Sequence, residues 1–189
     1  MRYAPEHNDA TRERILDAAS RLFREHGIAA VGLAKIMAEA DLTVGTFYTH
    51  FQSKEALVRE SLLRSLDERH EALEQALHGA DLELVIRAYL SPEHRDAAAT
   101  GCPVAALASE VARHPRATRS AFASHNAKAL DALAAWLSSH RGNDVSRAEA
   151  AALLGLLAGT LQLARATPDR AESDAMLEAG VRAAIRLAK

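Results

Sequence analysis

The sequence predicts an all-α fold, and three observations carry that expectation. Alanine is abundant and β-branched residues are sparse, a mixture that favours helix. Apolar residues recur at helical spacing almost throughout, and no stretch alternates as a half-buried strand would. Proline is confined to a few places. With 189 residues, 49% of them hydrophobic, the chain is long enough to bury one large core or two small ones.

The elements follow in order, about nine helices in all. The first spans 9–26, with Ile15, Ala18, Ala19, Leu22, Phe23 and His26 on one stripe and Gly27 as its stop. A short helix is expected over 33–40, a tight turn at Asp41 and Leu42, and a second short helix over 43–50. Ser53 is a good N-cap for a long helix to about residue 78, striped by Leu62, Leu66, Leu73 and Leu77. A helix over 81–90 follows, then Ser91-Pro92-Glu93, an N-cap with proline at the first helical position. Gly101-Cys102-Pro103 repeats that grammar and opens a helix to about residue 113; His114-Pro115 opens a long one to about 140. Helices over 146–166 and 170–188 close the chain, split by Thr167-Pro168-Asp169. The natural division lies near Phe51, giving residues 1–52 as a three-helix N-terminal domain and 53–189 as a helical C-terminal domain.

Two short helices joined by a few residues and buttressed by a third form a helix-turn-helix. Asp41 suits the turn because Asp tolerates the left-handed conformation better than most residues. Gly45 leaves room for DNA, and Thr43, Thr46, Tyr48, Thr49 and His50 present hydroxyl and imidazole groups. Lys54 opens the next helix, where its charge opposes the macrodipole and is better explained by a phosphate. Phe47 and Phe51 read as core.

The stretch ADLTVGTFYTHFQSKEALV resembles the signature of the TetR/AcrR transcriptional regulators, as does TRERILDAASRLFREHG upstream. Ile36-Met37, followed by Thr-x-Gly-x-Phe-Tyr-x-His-Phe, is similar to one subgroup of that family; Asp41 departs from its usual turn glycine and Met37 from a commoner alanine. The resemblance covers about the first third of the chain. It implies a repressor that binds a pseudo-palindromic double-stranded DNA operator as a homodimer and is released by a small-molecule inducer. It implies that Val44 and Thr46 touch base edges, while Thr43, Tyr48, His50 and Lys54 hold phosphates.

In the C-terminal half, GCPVAALASEVAR resembles the same subgroup. The helix over 146–166 is apolar almost all round, so one side needs a partner. Leu154, Gly155, Leu157, Gly159 and Leu161 are the expected dimer contacts there, with Met176, Leu177, Gly180 and Val181 from the last helix, the position at which the family dimerises. A monomer with one buried core helix is the other reading. An inducer pocket is expected between the middle helices, small and mainly aliphatic, with Tyr89, Cys102, Phe122, His125, Asn126, Leu133 and Trp136 as candidates. Local satisfaction of these polar groups within a core stands as the alternative. Cys102, at a helix N-cap, reads as a small packing residue first and a reactive sensor second.

The net charge of −2 argues against a general positive field, so DNA contact must rest on a few placed groups. One cysteine excludes an internal disulfide and a cysteine-based zinc site. The chain start has no apolar h-region, and the run 150–164 is shorter than a membrane span, so a cytoplasmic protein without membrane partner is expected. No cofactor is expected. His70 and Glu74, one turn apart, read as an ordinary pair rather than metal ligands. No catalytic motif appears; a helical ligand-binding dimer or an enzyme without DNA binding remains the alternative.

Overall fold

The computed structural model describes residues 5–79 and 81–189. The leader reading of the chain start falls partly on residues outside that range. Ten α-helices and one 3-10 turn, Ala98–Thr100, make up the described residues, with no strand among them. They are α1 (Pro5–His26), α2 (Leu33–Glu39), α3 (Val44–His50), α4 (Lys54–Leu77), α5 (Leu82–Tyr89), α6 (Pro92–Asp96), α7 (Pro103–Val111), α8 (Arg116–Arg141), α9 (Arg147–Ala166) and α10 (Arg170–Ala188).

Side-chain caps set most of the helix starts. Ser53, Asp81, Ser91, Ser146 and Asp169 each accept a hydrogen bond from a first-turn amide. Ser146 and Glu149 complete a reciprocal capping box. Helix α1 begins at Pro5, ahead of the expected residue 9, because its apolar stripe starts later than its backbone does. Gly27 and Gly142 stop α1 and α8 in the left-handed region, at φ of 84° and 69°.

The core forms two clusters. The first gathers Ile15, Leu22 and Phe23 of α1, Ile36 and Met37 of α2, and Phe47 of α3. It runs past residue 52, taking in Leu57, Val58, Leu62 and Leu66 of α4 and Leu107 and Val111 of α7. The second joins α5, α7, α8, α9 and α10 around Ile86, Leu137, Leu153, Leu161 and Leu177. Helices α4 and α8 pack along each other, as do α9 and α10. Among the described residues no helix is long and apolar enough to cross a membrane, and no cluster of His, Cys, Asp and Glu could hold a metal.

Candidate functional site

The turn between α2 and α3 is a Schellman closure. The amide of Asp41 donates to the Ala38 carbonyl and that of Leu42 to the Met37 carbonyl, at 3.0 and 2.8 Å. This geometry needs a left-handed residue, and Asp41 supplies it at φ 53°. The Arg14 guanidinium lies 3.9 Å from the Asp41 carboxylate. Thr43 then turns the chain into α3 from extended backbone, and its hydroxyl is shared with that of Thr46 at 3.1 Å.

Helix α3 divides cleanly by face. Phe47 is fully buried and stacks on Phe51 at 5.6 Å between centroids. Tyr48 sets the edge of its ring on Phe47 at 5.1 Å, yet remains 67% exposed. Val44 is 42% exposed, Thr43, Gly45 and Thr49 are exposed, and Thr46 and His50 are half-buried. A Cβ at Gly45 would meet nothing closer than the Thr43 hydroxyl at 3.8 Å, so packing within the chain does not require glycine there. Burial, then the nearby Arg12, pushes the His50 imidazole below its usual pKa, which keeps it neutral at pH 7.

Lys54 has a partner that sequence reasoning did not foresee. Its ammonium donates to the Ile28 carbonyl at 3.0 Å, tying the start of α4 to the loop after α1. That bond accounts for a cation at a helix N-terminus without a phosphate.

Further contacts tie the N-terminal helices, and the start of α4, to the helices that follow. The Glu110 carboxylate of α7 accepts from the amides of Ile28 and Ala29 at 3.2 and 3.0 Å. Gly27 makes room for it, since a Cβ there would stand 2.6 Å from the Glu110 oxygen. Glu55 of α4 accepts from Thr118 of α8 at 2.6 Å and lies 3.0 Å from the His114 ring. Arg24 of α1 donates to the Ala99 carbonyl at 2.6 Å.

Beside Ala99 lies a cavity of about 500 Å³. Its walls are Ser65, Glu68, Arg69, Ala72 and Leu73 of α4, Tyr89 of α5, the Thr100–Pro103 segment, His94 of α6 and Arg24 of α1. Of the residues expected from the sequence, Tyr89 and Cys102 line it. The others lie elsewhere. Phe122 packs against the first core cluster, and Leu133 and Trp136 belong to the second. His125 sits on the flank of α8, its Nδ1 3.1 Å from the Ala121 carbonyl and its Nε2 3.7 Å from Asp67. Asn126 is half-buried on the same stretch, and its carbonyl oxygen has no partner. The lining is mainly apolar, as expected, with Arg24, Arg69 and Glu68 also on the wall. Nothing in the helical pattern of α4 marks Arg69, because periodicity separates core from non-core and does not tell a cavity wall from an open surface.

His94 holds the cavity's far wall. Its Nδ1 is 2.7 Å from the Tyr89 carbonyl, and its Nε2 accepts from the Cys102 amide at 3.1 Å. That pair of bonds fixes the neutral tautomer with the proton on Nδ1. Burial first, then Arg165 and Arg69, lowers its pKa against the opposing pull of the Tyr89 carbonyl. Gly101 next to it has no space for a side chain, with Arg165, His94 and the Ala97 carbonyl 3.0–3.1 Å from a Cβ position. Cys102 is buried at the N-cap of α7 and its thiol makes no capping bond.

The last two helices sort the expected dimer residues into two groups. Leu154, Leu157 and Leu161 are buried within their own chain, as are Leu177, Gly180 and Val181. Gly180 is closed off entirely, with Thr160 2.5 Å from a Cβ position. The open face of α9 carries Ala152, Gly155 and Leu163, with Leu156 and Gly159 half-buried beside them. Leu163 is 65% exposed. Met176 is half-buried and Leu187 42% exposed on α10. The leucines therefore belong to the chain's own core because they lie on the other side of α9 from this stripe.

Residues 15–61 match the family model for bacterial regulatory proteins of the tetR family. The transcriptional regulator TtgR of Pseudomonas putida is 40% identical over 81 residues, which is 43% of this chain and 38% of TtgR. The match thus spans well under half of that relative's length. Among solved structures, the reduced form of Escherichia coli NemR superposes with a TM-score of 0.74 at 24% identity, over 94% of this chain and 96% of that one. A TetR-family transcriptional regulator from Streptomyces coelicolor does so with 0.68 at 27% identity, over 94% and 95%.

Proposed function

We propose that this chain is a transcriptional regulator of the TetR/AcrR type, a cytoplasmic repressor and not an enzyme, released from its operator by a small molecule. Residues 1–52 carry the DNA-reading face and 53–189 the effector cavity and the dimer contact. One observation carries the DNA reading. The outward side of α3 presents an apolar side chain and an anchored tyrosine, Val44 and Tyr48, which do no packing that would explain their exposure. A helix so arranged fits the major groove, with Val44 and Thr46 at base edges. Thr43, Tyr48, Thr49 and the neutral His50 then donate to phosphates from the flanks. Gly45, which packing leaves free, lets the backbone come close to the DNA. Lys54 serves at the rim once its bond to Ile28 is exchanged.

The protomers meet through the open stripe of α9, Ala152, Gly155, Gly159 and Leu163, flanked by Met176 and Leu187 of α10 in an isologous contact. The route from cavity to DNA head is short. Helix α7 begins at the cavity wall with Cys102 and ends at Glu110, which holds the loop after α1. An effector can favour the released state only by its differential affinity for it.

Tyr48→Phe tests the docking with little disturbance, since only an exposed hydroxyl is lost. Fluorescence anisotropy should record an affinity about tenfold lower on specific and unrelated DNA alike, the loss of one bond to a charged acceptor. Unchanged affinity would remove Tyr48 from the interface.

A further inference from the structure

Among the described residues, two donors of the cavity wall have no oxygen acceptor. Arg69 of α4 is half-buried, and one terminal nitrogen of its guanidinium is shielded from solvent without an acceptor. The Tyr89 hydroxyl is likewise shielded, with the Cys102 thiol, a weak hydrogen-bond partner, as its neighbour. Burial, and to a lesser degree Cys102, pushes the tyrosine pKa far up, so that it stays a donor at neutral pH. Buried polar groups are satisfied in almost all folded proteins. Arg69 and Tyr89 both belong to the cavity wall and leave room for a stronger acceptor from outside.

The charges point the same way. Arg24 and Arg69 both line the space against a single carboxylate, Glu68. That carboxylate is already engaged by the Arg64 guanidinium at 2.9 Å, itself held by Glu13 and Asp17 at 2.7 and 2.6 Å. His94 adds no charge, because both its nitrogens are committed as a neutral ring. Ala72, Leu73 and Pro103 give the wall its apolar surface, beside the uncharged Ser65 and Thr100. We propose that this cavity binds a small organic anion, a carboxylate or sulfonate on an apolar body, its oxygens held by Arg69 and the Tyr89 hydroxyl.

This rests on reading the cavity as the effector site, and it adds the ligand's chemical class. It also gives Arg24 a role. That residue belongs to α1, the first helix of the DNA head, yet reaches the cavity and donates to Ala99. An anion beside it competes with that carbonyl and acts on the head directly.

Thermal melts of the full chain test the proposal with three probe acids, benzoate, phenylacetate and octanoate, each beside its uncharged amide. At saturating millimolar acid, at least one should raise the melting temperature by about 5 °C or more, and its amide should not. Arg69→Gln and, separately, Tyr89→Phe should abolish or sharply reduce that shift, and Arg69→Lys should restore part of it. Equal shifts from acid and amide, shifts that survive Arg69→Gln in a variant that still melts cooperatively, or no shift from any acid would each overturn it. Operator binding is measured on the same samples. Acids that bind through Arg69 but leave DNA affinity unchanged would establish the anion site and refute the effector reading.

Discussion

His94 is a wall residue whose protonation breaks the wall. Its Nε2 accepts from the Cys102 amide, and a proton there would set one N–H against another. The folded pKa lies below the unfolded value, which is about 6.5. Below that value the unfolded chain binds the extra proton, so the contribution of His94 to stability is complete above about pH 6.5 and is lost as pH falls. The melting temperature should therefore hold steady from about pH 8 to 7 and decline between about 6.5 and 5.5. His94→Gln should melt lower at pH 8 and decline less over that lower window. An identical decline in the variant would show that other groups set it.

Legibility at this scale was uneven for physical reasons. Asp41 was readable in the sequence because left-handed turns admit few residue types. The buried Phe47 and Phe51 were readable from the residues, whereas the outward Val44 and Tyr48 were implied by the family resemblance. Arg24, Arg69 and His94 were not. Each is a polar residue at a position that helical phase assigns to the surface, and only the approach of α5 and the Thr100–Pro103 segment makes it a cavity wall. The partner of Lys54 was hidden for the same reason, since Ile28 is brought to it by tertiary packing.

At the scale of elements, α9 carries the contrast that matters for assembly. Its length, caps and apolar character follow from sequence, but which of its apolar residues face inward does not, because the helix is apolar on nearly every side. Leu157 is 7% exposed and Leu163 65%, on different faces of the helix. The two should respond differently to a charge. Leu163→Glu should leave the melting curve of the protomer near its original shape and shift sedimentation from dimer to monomer at micromolar concentration. Leu157→Glu should lower stability outright, because it buries a carboxylate in the second core cluster. A Leu163→Glu protein that still sediments as a dimer would move the interface off this stripe.

Helix α7 is the other element whose meaning is set by its two ends. Cys102 caps it at the cavity, and Glu110 grips the Gly27–Ala29 loop at the head. Its sequence marked a helix start, a subgroup resemblance and Cys102 as a pocket candidate, but not the grip of Glu110. The need for glycine at position 27 is double, a φ of 84° and a carboxylate where a side chain would go.

For the whole molecule, the fold class and the order of helices were legible because local periodicity and caps agree along the chain. The division at residue 52 follows the motif, whereas packing runs across it, with Leu107 and Val111 of α7 in the same cluster as Phe47. That continuity packs the wall helices α4 and α7 of the cavity into one core with α3, the helix proposed to read DNA. The central claim is that two copies of α3 enter successive major grooves of one operator. A hydroxyl-radical footprint of the wild-type chain on the DNA upstream of its own gene tests this most directly. The account predicts two protected half-sites related by two-fold symmetry, centred about 34–36 Å or a multiple of that apart, both lost on addition of an acid that binds through Arg69. Protection of a single half-site, or none above that seen on unrelated DNA, would contradict it.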